Sequence, residues 1–201
     1  MNREQKEFII AIYKAGQQNG RAYNICPIAV TAQAVLESNW GKSSLSSKHH
    51  NYFGLKTGKT WHGKSVKLKT KEEYQKGKLV TIYAEFRCYP DLESGVKGYY
   101  EFTNTKRYAN LKNIKDPYTY VSLIKQDGYA TSTKYVTNVM KVVDTIKNYL
   151  IATDVIDGDY GNGEERILKL TMAGYNYQNV QKCVNELIKE KIYELDIPRI
   201  K

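Results

Sequence analysis

The sequence predicts an α+β fold, in which helices come before and after one small antiparallel sheet along the chain. Helical spacing of apolar residues dominates up to residue 57 and returns after residue 90, whereas residues 58–90 carry alternating and β-branched residues. At 201 residues, the chain is long enough for one sizeable core and a small second unit. No apolar run approaches the roughly 20 residues needed to cross a bilayer, so no membrane partner is expected.

The first two helices come directly from the spacing of apolar residues. Residues 3–20 form an amphipathic pattern, and a second helix is expected to begin at Pro27, since proline fits a first helical position. We expect this helix to stop at the Asn39-Trp40-Gly41 step, because glycine readily adopts the left-handed cap conformation. Glu37 then lies in the last turn, where the helix dipole and burial against Trp40 both raise a carboxyl pKa. Such a carboxylic acid, protonated near neutral pH, is suited to general acid catalysis.

The middle of the chain predicts a β-hairpin, with strands around 66–69 and 79–84 and a turn at 75–77. Glu72 and Glu73 fall at its tip. After the hairpin, Asp91 is a good N-cap for a helix, and two further helices are expected over 117–125 and 132–150. The inner face of the last helix is expected to consist of Tyr135, Val139, Val143, Ile146 and Leu150.

The charge distribution predicts two domains, 1–150 and 151–201. Residues 1–150 contain 24 Lys and Arg against 12 Asp and Glu, whereas residues 151–201 contain 7 against 9. The second domain is predicted to be a three-helix unit over 152–190, with Ile167, Leu168 and Thr171 facing inward. A basic body favours a polyanionic partner such as nucleic acid or an anionic cell wall. No recognised nucleic-acid-binding motif is present, so a nucleic-acid partner is not expected.

The cysteines and histidines do not have the spacing of a metal site. Cys26, Cys88 and Cys183 are far apart in the sequence and are expected to be reduced thiols. His49 and His50 are adjacent, so their side chains point in different directions on any regular element. The sequence therefore predicts neither a metal nor another cofactor.

Five blocks of sequence over roughly residues 5–150 resemble glycoside hydrolase family 73, the β-N-acetylglucosaminidases of bacterial peptidoglycan. The blocks are Gln33-Ala-Val-Leu-Glu-Ser-Asn-Trp-Gly41, Asn51-Tyr-Phe-Gly-Leu-Lys56, Thr70-Lys-Glu-Glu-Tyr-Gln-Lys-Gly77, Phe86-Arg-Cys-Tyr-Pro-Asp-Leu-Glu-Ser94 and Gly128-Tyr-Ala-Thr-Ser-Thr-Lys-Tyr135. The resemblance implies a lysozyme-like fold with a groove between a helical lobe and a β-lobe. It also implies endo-hydrolysis of the β-1,4 bond between N-acetylglucosamine and N-acetylmuramic acid in glycan strands.

The same resemblance implies three catalytic residues. Glu37 matches the general acid, and Glu73 matches a second carboxylate that stabilises an oxocarbenium-like transition state or activates water. Glu72 lies beside Glu73 and is the alternative for that role. Tyr129 matches a tyrosine close to the acid, whose hydroxyl could orient the N-acetyl group. The alternative for Tyr129 is a core ring whose hydroxyl is hydrogen-bonded within the protein.

Substrate-binding residues are implied in two segments. Asn51, Phe53 and Gly54 are expected to line the groove, where glycine permits close approach of the sugar to the backbone. Tyr108, next to Arg107, is a further candidate for binding the substrate.

The C-terminal segment resembles the short cell-wall-binding repeat of some phage lysins. The matching elements are Gly161-Asn-Gly-Glu-Glu-Arg166 and Ala173-Gly-Tyr175. The resemblance implies a three-helix module that binds muropeptide, with Arg166 as a ligand contact. Alternatively, Arg166 pairs with Asp157 or Asp159.

The leading hypothesis is a peptidoglycan hydrolase with a catalytic domain tethered to a wall-binding module. The first residues lack the apolar core of a secretory signal. We therefore expect a phage endolysin that stays in the host cytoplasm until its release to the cell wall. The alternatives are a non-catalytic wall-binding protein on the same scaffold, and a muramidase or lytic transglycosylase, because this architecture supports all three chemistries.

Overall fold

The computed structural model describes residues 1–75 and 78–192, and the side chains among them other than those of 71–79. Within these residues the chain forms two strands, a 3₁₀ helix (Lys106–Leu111) and eight α-helices. In chain order they are α1 (Arg3–Gly20), α2 (Pro27–Ser38), α3 (Ser44–His49), β1 (Ser65–Gln75), β2 (Lys78–Arg87), α4 (Leu92–Thr103), α5 (Pro117–Gln126), α6 (Tyr135–Ile156), α7 (Gly163–Met172) and α8 (Tyr177–Lys189). This arrangement confirms the predicted α+β class.

Helix α2 lies at the centre of the helical lobe, where α1, α5 and α6 pack against it. Small side chains make this close packing possible, since Ala29, Ala32 and Ala34 are all fully buried. Helix α4 packs against α1 and contributes Tyr99 and Tyr100, both fully buried, to the same core. The helix that carries Glu37 is therefore fixed on several sides.

Helix α2 ends at the predicted Asn39-Trp40-Gly41 step, but its cap is Asn39 rather than Gly41. Asn39 is the C-cap, with φ 51° and ψ 59°, and its backbone N–H donates to the Val35 carbonyl. Trp40 and Gly41 continue with positive φ values of 59° and 75°. Asparagine takes the left-handed conformation more readily than most residues, so it ends the helix before glycine is reached.

The hairpin is longer than predicted. Strands β1 and β2 pair antiparallel from Ser65↔Arg87 onward, and the isolated bridge Lys56↔Phe86 ties the segment after α3 to β2. The backbones of Glu72 and Glu73 pair with Val80 and Leu79, so both residues belong to β1 rather than to a loop at the tip. Their side chains lie outside the described part of the chain.

Helix α6 has the predicted inner face but extends beyond its predicted end at residue 150. The five predicted residues of this face are buried: Tyr135, Val139, Val143, Ile146 and Leu150. The helix continues to Ile156, and Ile151, Ala152 and Val155 in these added turns are also buried. The predicted boundary at 151–155 therefore falls within a continuous helix, and the division into two domains remains a prediction.

The inward face of α7 differs from the prediction. Ile167 and Leu168 are 43% and 61% exposed, and Thr171 is also exposed, whereas Leu170 is fully buried. This short helix packs mainly against α8, so only the row of residues that contains Leu170 meets the core. On α8, Val180, Cys183, Val184 and Leu187 are buried, whereas Ile188 is 49% exposed.

Ion pairs and a hydrogen bond connect helix α8 and its C-cap to the helical lobe. The buried Lys6 ammonium on α1 lies 2.7 Å from a Glu190 carboxylate oxygen and 3.3 Å from one of Glu186. The Tyr149 hydroxyl on α6 donates to Glu186 at 2.6 Å. Within the described residues, none of the helices combines the length and the hydropathy that a bilayer crossing demands.

Candidate active site

A cleft of about 1430 Å³ separates the helical lobe from the hairpin. Its walls come from the end of α2, the start of α3, the segment 53–61, both strands, α4, the 3₁₀ helix and the segment 128–138. Helices on one side and a hairpin on the other form the groove that the sequence led us to expect.

Glu37 lines this cleft from the last turn of α2. Glu37 as a whole residue is exposed at the cleft. Protein atoms nevertheless surround its carboxyl group on several sides and desolvate it. Desolvation raises its pKa to about 7, and a hydrogen-bonding interaction with the Tyr135 hydroxyl opposes part of that rise. A carboxyl group with this pKa is about half protonated at neutral pH, which suits a general acid.

A chain of buried polar groups fixes Tyr135 beside Glu37. The Gln33 amide, one turn before Glu37 on α2, donates to the Tyr135 hydroxyl at 2.8 Å. Gln33 in turn accepts from the Tyr99 hydroxyl at 2.6 Å, and the Tyr99 and Tyr120 hydroxyls are 2.8 Å apart. Because the Tyr135 hydroxyl accepts from Gln33, its own proton is free to point toward Glu37.

Sequence reasoning missed this network. Gln33 and Tyr135 both lie in the matching blocks, but they are 102 positions apart. The one available signal was the helical spacing of four residues between Gln33 and Glu37, which puts their side chains on one face of α2.

Tyr129 lies in the cleft, and its hydroxyl donates to the Phe53 carbonyl at 2.8 Å. Its ring meets the edges of Tyr99 and Phe102, with centroid separations of 6.4 and 6.2 Å. The hydroxyl therefore joins the segment around Tyr129 to the segment around Phe53, across the floor of the cleft.

Asn51 does not line the groove, contrary to expectation. Its side chain is buried, because the residue is 2% exposed, and its amide group donates to the Leu55 and Arg87 carbonyls. Its amide oxygen accepts from the Leu55 N–H at 2.9 Å. Asn51 is thus a positioning residue for the segment that follows it.

Phe53 and Gly54 do line the cleft, as expected. The Phe53 ring stacks on Tyr99 with a centroid separation of 4.1 Å, so its side chain belongs to the core. Gly54 has φ +64° and open space where a Cβ would lie. The backbone of Gly54 is therefore accessible to a ligand.

Tyr108 lines the cleft but is only 2% exposed, and the Arg107 guanidinium carbon lies 5.2 Å from its ring centroid. Arg107 donates through Nε to the Asp127 carbonyl. A Cβ on Gly128, whose φ is +82°, would lie 2.3 Å from Arg107 Nη2. Arg107 and Gly128 thus pack closely at the start of the segment that carries Tyr129.

The side chain of Glu73 lies outside the described part of the chain, as does that of Glu72. Their strand nevertheless forms a wall of the cleft, because Leu68, Lys69 and Thr70 of β1 line it. The second carboxylate therefore remains a prediction.

Arg166 is bonded within the C-terminal helices. Its Nε donates to the Gly161 carbonyl at 3.1 Å, Nη1 to Gln181 at 3.1 Å and Nη2 to Asn162 at 2.9 Å. These partners differ from Asp157 and Asp159, which were the alternative. Arg166 joins the loop before α7 to α8.

Comparison with known proteins supports this reading of the fold. Residues 13–148 match the family model described as mannosyl-glycoprotein endo-beta-N-acetylglucosaminidase, and residues 150–188 match the model of the CW_7 repeat. The chain is 27% identical to a solved peptidoglycan hydrolase mutant from Sphingomonas sp. A1, with a TM-score of 0.63. That similarity covers 69% of this chain and 92% of the other, which confirms the lysozyme-like α+β fold.

Two curated relatives are also similar. The chain is 32% identical over 149 residues to peptidoglycan hydrolase FlgJ from Pseudomonas aeruginosa, covering 71% of this chain and 37% of that protein. It is 30% identical over 147 residues to exo-glucosaminidase LytG from Bacillus subtilis, covering 70% and 51%. The chain thus spans about a third to a half of these relatives. By the family model and the fold together, it belongs to the glucosaminidase family, glycoside hydrolase family 73, and it carries a CW_7 repeat after the glucosaminidase region.

Proposed function

We propose that this chain is a peptidoglycan hydrolase that cleaves the β-1,4 bond between N-acetylglucosamine and N-acetylmuramic acid. The observation that carries the proposal is the Glu37 carboxyl, whose pKa is raised to about 7 at the side of a cleft between two lobes. The proposal agrees with the activities of two relatives, the peptidoglycan hydrolase FlgJ and the exo-glucosaminidase LytG.

In the proposed mechanism, Glu37 protonates the glycosidic oxygen as the bond breaks. Tyr135 holds the carboxyl in place, because Gln33 fixes the hydroxyl from the other side. The leaving sugar departs with the protonated glycosidic oxygen. The other sugar develops positive charge at its anomeric carbon. Water then adds to that carbon and gives one proton to the second carboxylate, which releases it to solvent. Glu37 takes up a proton from solvent, which restores the enzyme and completes hydrolysis.

We assign the second carboxylate to Glu73, on the strand that forms the facing wall of the cleft. A carboxylate there stabilises the positive charge or activates the attacking water from the opposite face of the sugar. Glu72 is adjacent in the sequence and is the alternative for this role. Comparing Glu72→Gln with Glu73→Gln distinguishes them.

The remaining residues are proposed to bind the sugar. Gly54 offers accessible backbone, and Tyr129, tied to the Phe53 carbonyl, shapes the position of the N-acetyl group. Tyr108 supports that surface from beneath Arg107.

We also propose that the CW_7 repeat binds muropeptide near Arg166 and the Gly161 loop that it orders. The test is sedimentation of the full-length Glu37→Gln protein with purified walls, with and without Arg166→Gln. Weaker cosedimentation of the double variant supports this role, whereas equal binding contradicts it.

We propose further that the chain is a phage endolysin, held in the host cytoplasm until a membrane pore releases it to the wall. The support is the combination of a glucosaminidase region with a cell-wall-binding repeat. Expression in a susceptible host should cause lysis only when a pore-forming holin is coexpressed. Lysis without any pore would contradict the proposed route.

The activity is tested by incubating purified walls with wild type and with Glu37→Gln. Wild type should release reducing ends, and mass spectrometry after borohydride reduction should show reduced glucosamine at the new ends. A reduced muramic end would instead indicate a muramidase, and an anhydro end a lytic transglycosylase. Equal release by both proteins would overturn the assignment of Glu37, and no release by wild type would favour a binding protein.

A further inference from the structure

The described walls of the cleft carry more positive than negative charge. Four cationic side chains line it, namely Lys56, Lys69, Arg87 and Arg107, against the two carboxylates of Glu37 and Glu101. Three of the four cationic residues are exposed, whereas Arg87 is half-buried. Arg87 is therefore the least exposed of the four cationic residues in this wall.

Arg87 is held by two aromatic rings and one hydrogen bond. Its guanidinium carbon lies 4.9 Å from the Trp61 ring centroid and 5.6 Å from that of Phe102. Its Nε donates to the Lys56 carbonyl at 3.0 Å. Trp61 is itself fixed, since its indole N–H donates to the Lys64 carbonyl at 3.0 Å. Stacking of this kind sets the plane of a guanidinium group before any ligand arrives.

Among the side chains that the structure describes, none supplies a counter-ion for Arg87. Over residues 1–70 and 80–192, where side chains are described, no carboxylate lies within ion-pair distance of Arg87. The nearby polar side chain is the Tyr89 hydroxyl, a neutral group. A half-buried, oriented guanidinium without a counter-ion is a good partner for a carboxylate, which it binds through two parallel N–H groups.

We infer that Arg87 binds a carboxylate of the substrate and thereby selects acid-bearing glycan over neutral polymers of N-acetylglucosamine. The inference rests on the proposed function. Peptidoglycan offers two sources of this group: the lactyl carboxylate of muramic acid where the stem peptide has been removed, and the carboxylates of the stem peptide where it is present. Arg87 is thus a specificity-determining residue of the same cleft, and the acid–base step stays with Glu37.

The test compares three forms of one glycan preparation. The first retains its stem peptides, the second is stripped of them by an amidase, and the third is the stripped glycan with its carboxylates converted to neutral amides. Wild type, Arg87→Gln and Arg87→Lys are assayed on each, with kcat and KM determined separately. Lys141→Gln, which removes one positive charge from the exposed side of α6, is the matched control.

We expect Arg87→Gln to lower kcat/KM on a carboxylate-bearing glycan about tenfold or more, mainly through KM, because a charged hydrogen bond is lost. The amidated glycan should be cleaved equally well by both proteins. Loss on the stripped glycan assigns the lactyl carboxylate as the ligand, and loss on the peptide-bearing glycan alone assigns the stem peptide. Arg87→Lys should fall between wild type and Arg87→Gln, because it keeps the charge but not the planar group.

The ratio of kcat/KM on acidic glycan to kcat/KM on amidated glycan tests whether Arg87 binds a carboxylate. The test holds even if a variant is partly unfolded, because both substrates meet the same amount of folded enzyme. If Arg87→Gln keeps the wild-type ratio, Arg87 only supports the loop at Lys56 and Trp61, and the inference is overturned. If wild type cleaves none of the three glycans, it is the proposed function that fails.

Discussion

At the scale of single residues, the site depends on how tyrosine hydroxyls are used. The chain has 18 tyrosines, and four of them, Tyr99, Tyr120, Tyr129 and Tyr135, surround the cleft end of α2. Each hydroxyl has a specific partner. Tyr135 has a hydrogen-bonding interaction with Glu37, and desolvation together with the charge of Glu37 raises the pKa of Tyr129. Sequence reasoning could name Glu37 and Tyr129, but nothing in a single sequence tells which of many tyrosines lies beside the acid.

We predict that Tyr135→Phe raises the pKa of Glu37, because the hydroxyl it removes favours the ionised carboxylate. Since a general acid must be protonated, activity should then persist to higher pH, and the alkaline limb of the kcat/KM profile should move upward. The measurement is the pH profile of wall hydrolysis for both proteins.

The matched control for Tyr135→Phe is Tyr149→Phe, which removes a hydroxyl from the same helix at a site bonded to Glu186. It should leave the alkaline limb unchanged. An unshifted limb in Tyr135→Phe, or a downward shift, would contradict the role given to this hydroxyl.

At the scale of elements, caps and buried faces account for most of what could be predicted. Asp91 caps α4 through a bond to the Ser94 N–H, and the inner face of α6 follows from its heptad-like spacing. The end of α2 was predicted correctly, although Asn39 rather than Gly41 provides its left-handed cap. The inward side of α7 was predicted wrongly, because tertiary packing decided it and only the Leu170 row of α7 meets α8.

We predict that Asn39→Ala lowers the free energy of unfolding by about 1 kcal/mol, because alanine is strained at φ 51°. Asn39→Gly is the paired variant, since glycine accepts this conformation and should leave stability within about 0.5 kcal/mol. Urea unfolding of the three proteins gives the comparison. Equal stability of the alanine and glycine variants would show that the left-handed cap does not constrain this position.

At the scale of the whole molecule, α1 connects the first residues of the chain to its last helices. Lys6 on α1 meets Glu186 and Glu190 of α8, and Tyr13 on the same helix donates to Asp154 near the end of α6 at 2.9 Å. These contacts join residues that are far apart in the sequence: Tyr13 and Asp154 are 141 positions apart, and Lys6 and Glu190 are 184 positions apart. The CW_7 repeat is therefore packed against the helical lobe, a feature that charge counts along the sequence did not predict.

The buried Asp154 makes stability depend on pH. Desolvation raises its pKa to about 6, against the opposing hydrogen bonds from Tyr13 and Gln17. Between pH 4 and 6 the Asp154 carboxyl stays protonated in the folded protein but ionises in the unfolded chain. The contribution of the protonated carboxyl to the free energy of unfolding is therefore full at acidic pH and is lost as pH rises through 6. By this linkage the loss is up to about 3 kcal/mol.

We predict that Asp154→Asn removes this part of the pH dependence and makes the protein relatively more stable at pH 7. Unfolding in urea at several pH values between 4 and 7 measures the difference between wild type and variant. Asp144→Asn, an exposed substitution on the same helix, should leave that dependence unchanged. A wild-type slope that persists in Asp154→Asn would show that other groups produce it.

The proposed role of Glu37 as general acid requires that a large fraction of this carboxyl, about half, is still protonated at neutral pH. The most direct measurement is carboxyl ¹³C NMR titration of the free protein, with the Glu37 resonance assigned by its absence in Glu37→Gln. We expect a midpoint of about 7 for this carboxyl. A midpoint near 4.5, the ordinary value for a glutamic acid, would contradict it.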